Sequence, residues 1–166
     1  MKLNSRMLCL GGFLLCAALM GAAIYFQYVQ HLEPCPLCIV QRWFVIAVGL
    51  TLLLGALHNP RTWGQRVYGL LTTLFAGLGA AVAARHVWIQ NLPPDRQPGC
   101  GFDLDTMLGS FPLIKTVTLV WAGTSDCAAV TWRFLGFSMA GWVLVFFAGF
   151  IGLGLALIFS KASSRV

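Results

Sequence analysis

Charged positions in this sequence are few and unevenly spaced, and four long apolar stretches run between them. Residues 7–29 contain no Asp, Glu, Lys or Arg, 37–57 contain only Arg42, 67–84 contain none before Arg85, and 134–159 contain none. Each is close to the ~20 residues that a helix needs to cross the hydrocarbon core of a bilayer. The pattern predicts an all-α integral membrane protein. It is read as a four-transmembrane-helix bundle forming one membrane domain over 1–166, with spans at about 7–29, 37–57, 67–86 and 134–159. An even number of spans puts both termini on one side and leaves two loops on the other, at about 30–37 and 87–133.

Composition agrees, with 58% of residues hydrophobic, 10% charged and a mean hydropathy of +0.80, where soluble domains have about 25% charged. Charge also orients the bundle. Lys2, Arg6, Arg61, Arg66, Lys161 and Arg165 lie on the terminal side, while all five acidic residues (Glu33, Asp95, Asp103, Asp105 and Asp126) fall in the two loops. Arg42, Arg85, Arg96, Lys115 and Arg133 balance them there, so the whole net charge of +6 sits on the terminal side. Positive residues mark the cytoplasmic face, so both termini are expected inside. The pI of about 9.3 then reflects topology and implies no nucleic-acid partner. Lys2 and Arg6 before an apolar run also describe a signal peptide, but 7–29 exceeds the ~7–15 residues of such a segment, and span 1 is expected to be retained.

The chemistry is concentrated in the loops. Cys35-Pro36-Leu37-Cys38 sits where the second span begins, with Pro34 and Pro36 suited to a helix start. A cysteine in the first turn of a helix has its thiolate favoured by the helix dipole. Arg42 follows Cys38 at i+4, on the same face. The long loop opens with a Pro- and Gly-rich, irregular stretch at 91–99 and continues with an apolar segment at 111–122. That segment is too short to span and is read as lying along the interface. Most of the tryptophans fall near the loop side, as an aromatic belt would.

Six cysteines divide by depth. Cys9 and Cys16 lie within span 1 and are expected to pack as small apolar residues. Cys35, Cys38, Cys100 and Cys127 all fall on the non-cytoplasmic side, where disulfides persist. A bridge between Cys100 and Cys127 could simply brace its loop, stabilising by about 3.5 kcal/mol. A Cys35–Cys38 bridge closes almost no loop and restrains little, which favours redox exchange. A four-cysteine zinc site fits poorly, because the second pair lacks the short spacing of a zinc knuckle. No haem motif or flavin fingerprint is present, so electrons reaching the thiols must leave to a lipid-soluble acceptor, a quinone (ubiquinone or menaquinone), where the C-x-x-C helix enters the bilayer. Arg42 is a candidate for that site, since a cation at this depth marks function by default, although a side chain snorkelling to headgroups is the alternative. His86, beside Arg85 at the outer end of span 3, could reach the same pocket. His58 reads as a solvated turn residue.

These residues resemble bacterial disulfide bond formation protein B, the DsbB family, over nearly the whole chain. Glu33-Pro-Cys-Pro-Leu-Cys-Ile-Val-Gln-Arg42 is similar to its first loop motif, and Ser125-Asp-Cys-Ala128 with Trp132-Arg-Phe-Leu-Gly136 to the end of its second loop. Cys100 fits the remaining essential cysteine. The resemblance implies a thiol:quinone oxidoreductase of the bacterial inner membrane with periplasmic loops. A reduced thioredoxin-like partner of the DsbA type would attack Cys100 and release Cys127. Cys127 would attack Cys35, and Cys38 would pass electrons to the quinone with help from Arg42. His86 matches a family histidine. Two rivals stand beside this reading. One is a vitamin K epoxide reductase-like enzyme, in which the loop cysteines precede the quinone-proximal pair rather than follow it. The other is a non-catalytic metal-binding membrane protein.

Overall fold

The computed structural model describes residues 5–60, 62–99, 104–110, 112–130 and 132–159. Four helices are long and apolar enough to cross a membrane: α1 (Ser5–Tyr28), α2 (Pro36–His58), α3 (Thr62–Gln90) and α7 (Met139–Phe159). Between α3 and α7 the chain forms a 3-10 turn (Pro94–Arg96), the short helices α4 (Leu104–Ser110), α5 (Leu113–Ala122) and α6 (Ser125–Ala128), and a two-stranded hairpin, β1 (Arg133–Phe134) and β2 (Phe137–Ser138). The protein is the four-helix membrane bundle that the apolar runs predicted.

Local chemistry explains the helix ends. Pro36 occupies the first turn of α2, where its missing amide hydrogen is not needed, and Cys35 takes the extended N-cap position. At the other end Asn59 adopts the left-handed conformation, with φ 40°, and its amide closes on the Gly55 carbonyl at 3.1 Å. The fourth helix starts later than the apolar run, at Met139 rather than 134. Leu135 and Gly136 both have positive φ, at 51° and 84°, and this turns residues 133–138 back into an antiparallel hairpin. Ser138 Oγ then accepts the Gly141 amide at 3.2 Å and caps α7. The third helix is longer than its charge-free run and carries Arg85, His86 and Gln90 on its last turns.

The core lies among the four spanning helices, around Val48, Leu52, Phe147, Phe150 and Leu157. Cys9 and Cys16 are buried in the same core. The α3 and α7 backbones pack closest: a Cβ on Gly154 would lie on Thr73 and 2.8 Å from the Gly69 carbonyl oxygen. Small residues let membrane helices gain dispersion contacts where lipid supplies no hydrophobic drive. By contrast α1 packs on α2 and barely touches α7. On α5, Ile114, Val117 and Trp121 recur at i, i+3, i+7 and are all exposed, the apolar stripe that an interfacial helix would present.

The Gly69/Gly154 contact predicts an asymmetry between neighbouring glycines. Gly154→Leu should destabilise the bundle by about 1–3 kcal/mol or more, whereas Gly152→Leu, which meets no atom within 4 Å, should not. Thermal denaturation in detergent would check this, and equal midpoints for the two variants would refute the packing account.

Candidate functional site

The site is assembled from the N-terminus of α2, the last turns of α3 and the short helix α6. The cap geometry at the start of α2 turns Cys35 and Cys38 to one side, with Cys35 donating to Cys38 across 3.0 Å between sulfurs. Cys35 is buried and Cys38 partly so. From α3, His86 points into the same space and is 4% exposed. Its Nε2 lies 3.8 Å from Cys35 Sγ and its Nδ1 lies 4.0 Å from Cys38 Sγ.

Cys127 reaches this pair because of the turn before it. Gly123 has φ 86°, and a Cβ there would sit 2.6 Å from the Ile89 side chain, so only glycine allows the chain to pass this close to α3. The α6 turn that follows is held at two points. His86 Nε2 contacts the Cys127 carbonyl at 3.1 Å, and the Ser125 amide donates to the Gly99 carbonyl at 3.1 Å. The Cys127 side chain is fully buried, and its sulfur, Cys35 Sγ and a His86 ring nitrogen all lie within 4.8 Å of one another. A hydrogen bond with Cys35, burial and the charge of a Cys35 thiolate all push the Cys127 thiol up from its ordinary range. Cys100 lies outside the described residues, but the contact of Gly99 with Ser125 brings the chain just before it alongside α6.

Arg42 is held from the side. Its guanidinium donates to the Gln27 side-chain oxygen and, at 3.3 Å, to the Ala23 carbonyl, both on α1. It lines a cavity of about 460 Å³ between the splayed α1 and α7, walled by Met20, Phe26, Trp142, Phe146 and Phe150. Cys35, Cys38, Gln41 and His86 form part of the same lining. The structure thus brings together Cys35, Cys38, Cys127 and His86, and places Arg42 on the wall of the same cavity.

The sequence reading missed the polar residues that support this cluster. Gln41 Nε2 lies 3.3 Å from His86 Nδ1, Gln90 Nε2 lies 3.4 Å from His86 Nε2, Thr124 Oγ1 lies 3.6 Å from Cys127 Sγ, and Gln27 receives Arg42. A signal for Gln41 and Gln27 was available, because an amide inside an apolar membrane run is costly unless it is bonded.

Fold and site together define a multi-pass membrane protein with a buried thiol–imidazole cluster at the end of its bundle. The chain belongs to the DsbB family: the family model described as disulfide bond formation protein DsbB matches residues 5–157. Among curated relatives, disulfide bond formation protein B of Methylococcus capsulatus is 51% identical over 150 residues, covering 90% of this chain and 92% of that one. The protein of the same name from Nitrosococcus oceani is 48% identical over 147 residues, covering 89% and 87%. Disulfide bond formation protein B 1 of Pseudomonas aeruginosa is 43% identical over 159 residues, covering 96% and 98%.

The contact between His86 and Cys127 predicts local control of α6. In His86→Leu the Cys127 carbonyl loses a buried donor, worth ~1–3 kcal/mol, so amides at 125–128 should exchange about ten-fold or more faster while those at 147–157 keep their protection. Hydrogen exchange read by mass spectrometry on the reduced protein would test this, and unchanged rates at 125–128 would mean the contact holds nothing in place.

Proposed function

We propose that this protein is a membrane thiol:quinone oxidoreductase that generates protein disulfides by reoxidising a soluble thioredoxin-like dithiol partner of the DsbA type. The observation that carries the reading is the convergence of Cys35, Cys38, Cys127 and His86 at one end of an apolar cavity that opens between α1 and α7. Family membership supports disulfide formation. The distribution of charge supports an inner-membrane orientation with both termini cytoplasmic and both loops periplasmic.

The relay follows from thiol–disulfide exchange, in which a thiolate attacks one sulfur of a disulfide and the other leaves. The partner's thiolate attacks Cys100 of a Cys100–Cys127 disulfide, and Cys127 leaves. Cys127 has only to cross the short distance to Cys35, whose disulfide with Cys38 it opens, and Cys38 is expelled as a thiolate on the cavity wall. The partner's second thiolate then attacks the mixed disulfide and frees Cys100, Cys100 attacks Cys127 and releases Cys35, and the Cys35–Cys38 bond recloses as two electrons pass to the acceptor, so that one partner dithiol has become a disulfide.

A quinone fits the cavity, which is walled largely by apolar and aromatic groups and has one fixed guanidinium. When bound, a quinone supplies a two-electron, two-proton sink within the bilayer. Arg42, pinned to α1, offers a cation and planar donors to a carbonyl oxygen. His86 lies between the thiols at the polar end of the cavity. Whether ubiquinone or menaquinone serves is decided by assaying the purified protein anaerobically with each.

A second reading has one observation in its favour, since Cys35, His86 and Cys127 present donor atoms close enough together for a metal ion. A non-catalytic zinc protein would bind stoichiometric metal and consume no partner thiols, so metal analysis beside a thiol-oxidation assay separates the two.

Two predictions follow from the relay and the cavity. Ala at Cys35, Cys38, Cys100 or Cys127 should abolish turnover, and Cys127→Ala mixed with the oxidised partner should in addition accumulate a mixed disulfide, formed when the free Cys100 thiolate attacks the partner's disulfide and visible on non-reducing gels. Catalytic oxidation of the partner by Cys127→Ala would break the proposed relay. Arg42→Gln should raise the quinone KM roughly ten-fold or more, the scale of a lost charge-assisted bond, while Arg42→Lys raises it less. A quinone KM unchanged in Arg42→Gln would remove Arg42 from the quinone site.

A further inference from the structure

Gln41 sits one turn beyond Cys38 on α2 and is only 3% exposed. An amide buried this deeply has to be matched, and its Nε2 lies 3.3 Å from Nδ1 of His86. On the other side of the ring, His86 Nε2 lies 3.1 Å from the Cys127 carbonyl oxygen. A carbonyl oxygen can only accept, so Nε2 carries the proton. In the neutral ring Nδ1 is then bare, and it can receive the Gln41 amide hydrogen. The same bare nitrogen faces Cys38 Sγ at 4.0 Å.

From this geometry, and resting on the function proposed above, we propose that Gln41 is a positioning residue that, together with the Cys127 carbonyl, holds His86 in the tautomer with its proton on Nε2, so that Nδ1 stays unprotonated and exchanges the Gln41 hydrogen bond for the Cys38 proton whenever the thiolate expelled in the relay has been reprotonated. The step breaks the Cys38 S–H bond and forms an Nδ1–H bond. It leaves a thiolate and an imidazolium, and no electrons change hands. Gln90 also approaches the ring, at 3.4 Å from Nε2, but that nitrogen already donates to the Cys127 carbonyl, so Gln90 does not select the tautomer. The arrangement follows the general pattern in which the bond made by one ring nitrogen determines what the other can do.

The chain has three histidines, so imidazole 15N labelling of the reduced, full-length protein in lipid nanodiscs gives a short spectrum in which His86 is assigned by its loss in His86→Asn. The wild type should show a protonated Nε2 and a lone-pair-bearing Nδ1. Gln41→Met keeps an unbranched side chain but has no donor, and should move the His86 signals toward an average of the two tautomers. It should also lower kcat with quinone roughly ten-fold, since the ring spends part of its time with no base facing Cys38, and leave the quinone KM unchanged. Gln90→Met should keep the wild-type tautomer. A proton on Nδ1 in the wild type, or a Gln41→Met spectrum identical to it, overturns the proposal whatever the protein does with quinone. A raised KM with unchanged kcat overturns it as well, by making Gln41 a quinone contact.

Discussion

Inside a bilayer the backbone has no water to bond with, so a chain that crosses it must satisfy its amides and carbonyls within its own helices. In this bundle α1, α2, α3 and α7 are committed to that task over most of their length and have little freedom left to rearrange. Thiol exchange, however, requires sulfurs that can meet and part. The cluster resolves this by lying where the constraint relaxes, at the capping turn of α2, and by drawing its third thiol from a short helix outside the spans. Cys35 occupies the cap itself, so one member of the C-x-x-C pair belongs to the loop and the other to the helix.

The same constraint shapes the cavity. The tight glycine contact of α3 with α7 and the packing of α1 on α2 leave α1 and α7 splayed, and the gap between them runs to the cysteines. A guanidinium in such a gap needs partners, and Arg42 on α2 finds them on the neighbouring α1, in the Gln27 side chain and the Ala23 carbonyl. Its charge is therefore held on the cavity wall. Beside it, His86 is matched on both ring nitrogens, by the Gln41 amide at Nδ1 and the Cys127 carbonyl at Nε2.

Much of this was legible in the chain. Apolar runs of membrane length determined the number of spanning helices, because the thickness of the bilayer sets the length of a span. The C-x-x-C motif with Arg42 at i+4 announced a thiol site at a helix start, because helical periodicity alone puts those side chains on one face. The start of the fourth helix was not legible, since residues 134–138 are apolar and only the positive φ of Leu135 and Gly136 turns them into a hairpin.

What the sequence by itself determined was therefore the four spanning helices, the class of chemistry and the end of the bundle where it belongs, all of which follow from local composition and spacing. Tertiary structure decided which distant groups complete the site. Cys127 meets Cys35 across 92 positions of sequence because Gly123 lets the loop pass against Ile89, and His86 reaches both because α3 packs beside α2. Gln27 and Gln41 read as isolated polar residues in apolar runs until the folded chain supplies their partners, Arg42 and His86. Contacts of that kind depend on how helices rotate and pack against one another, and no single stretch of sequence encodes that.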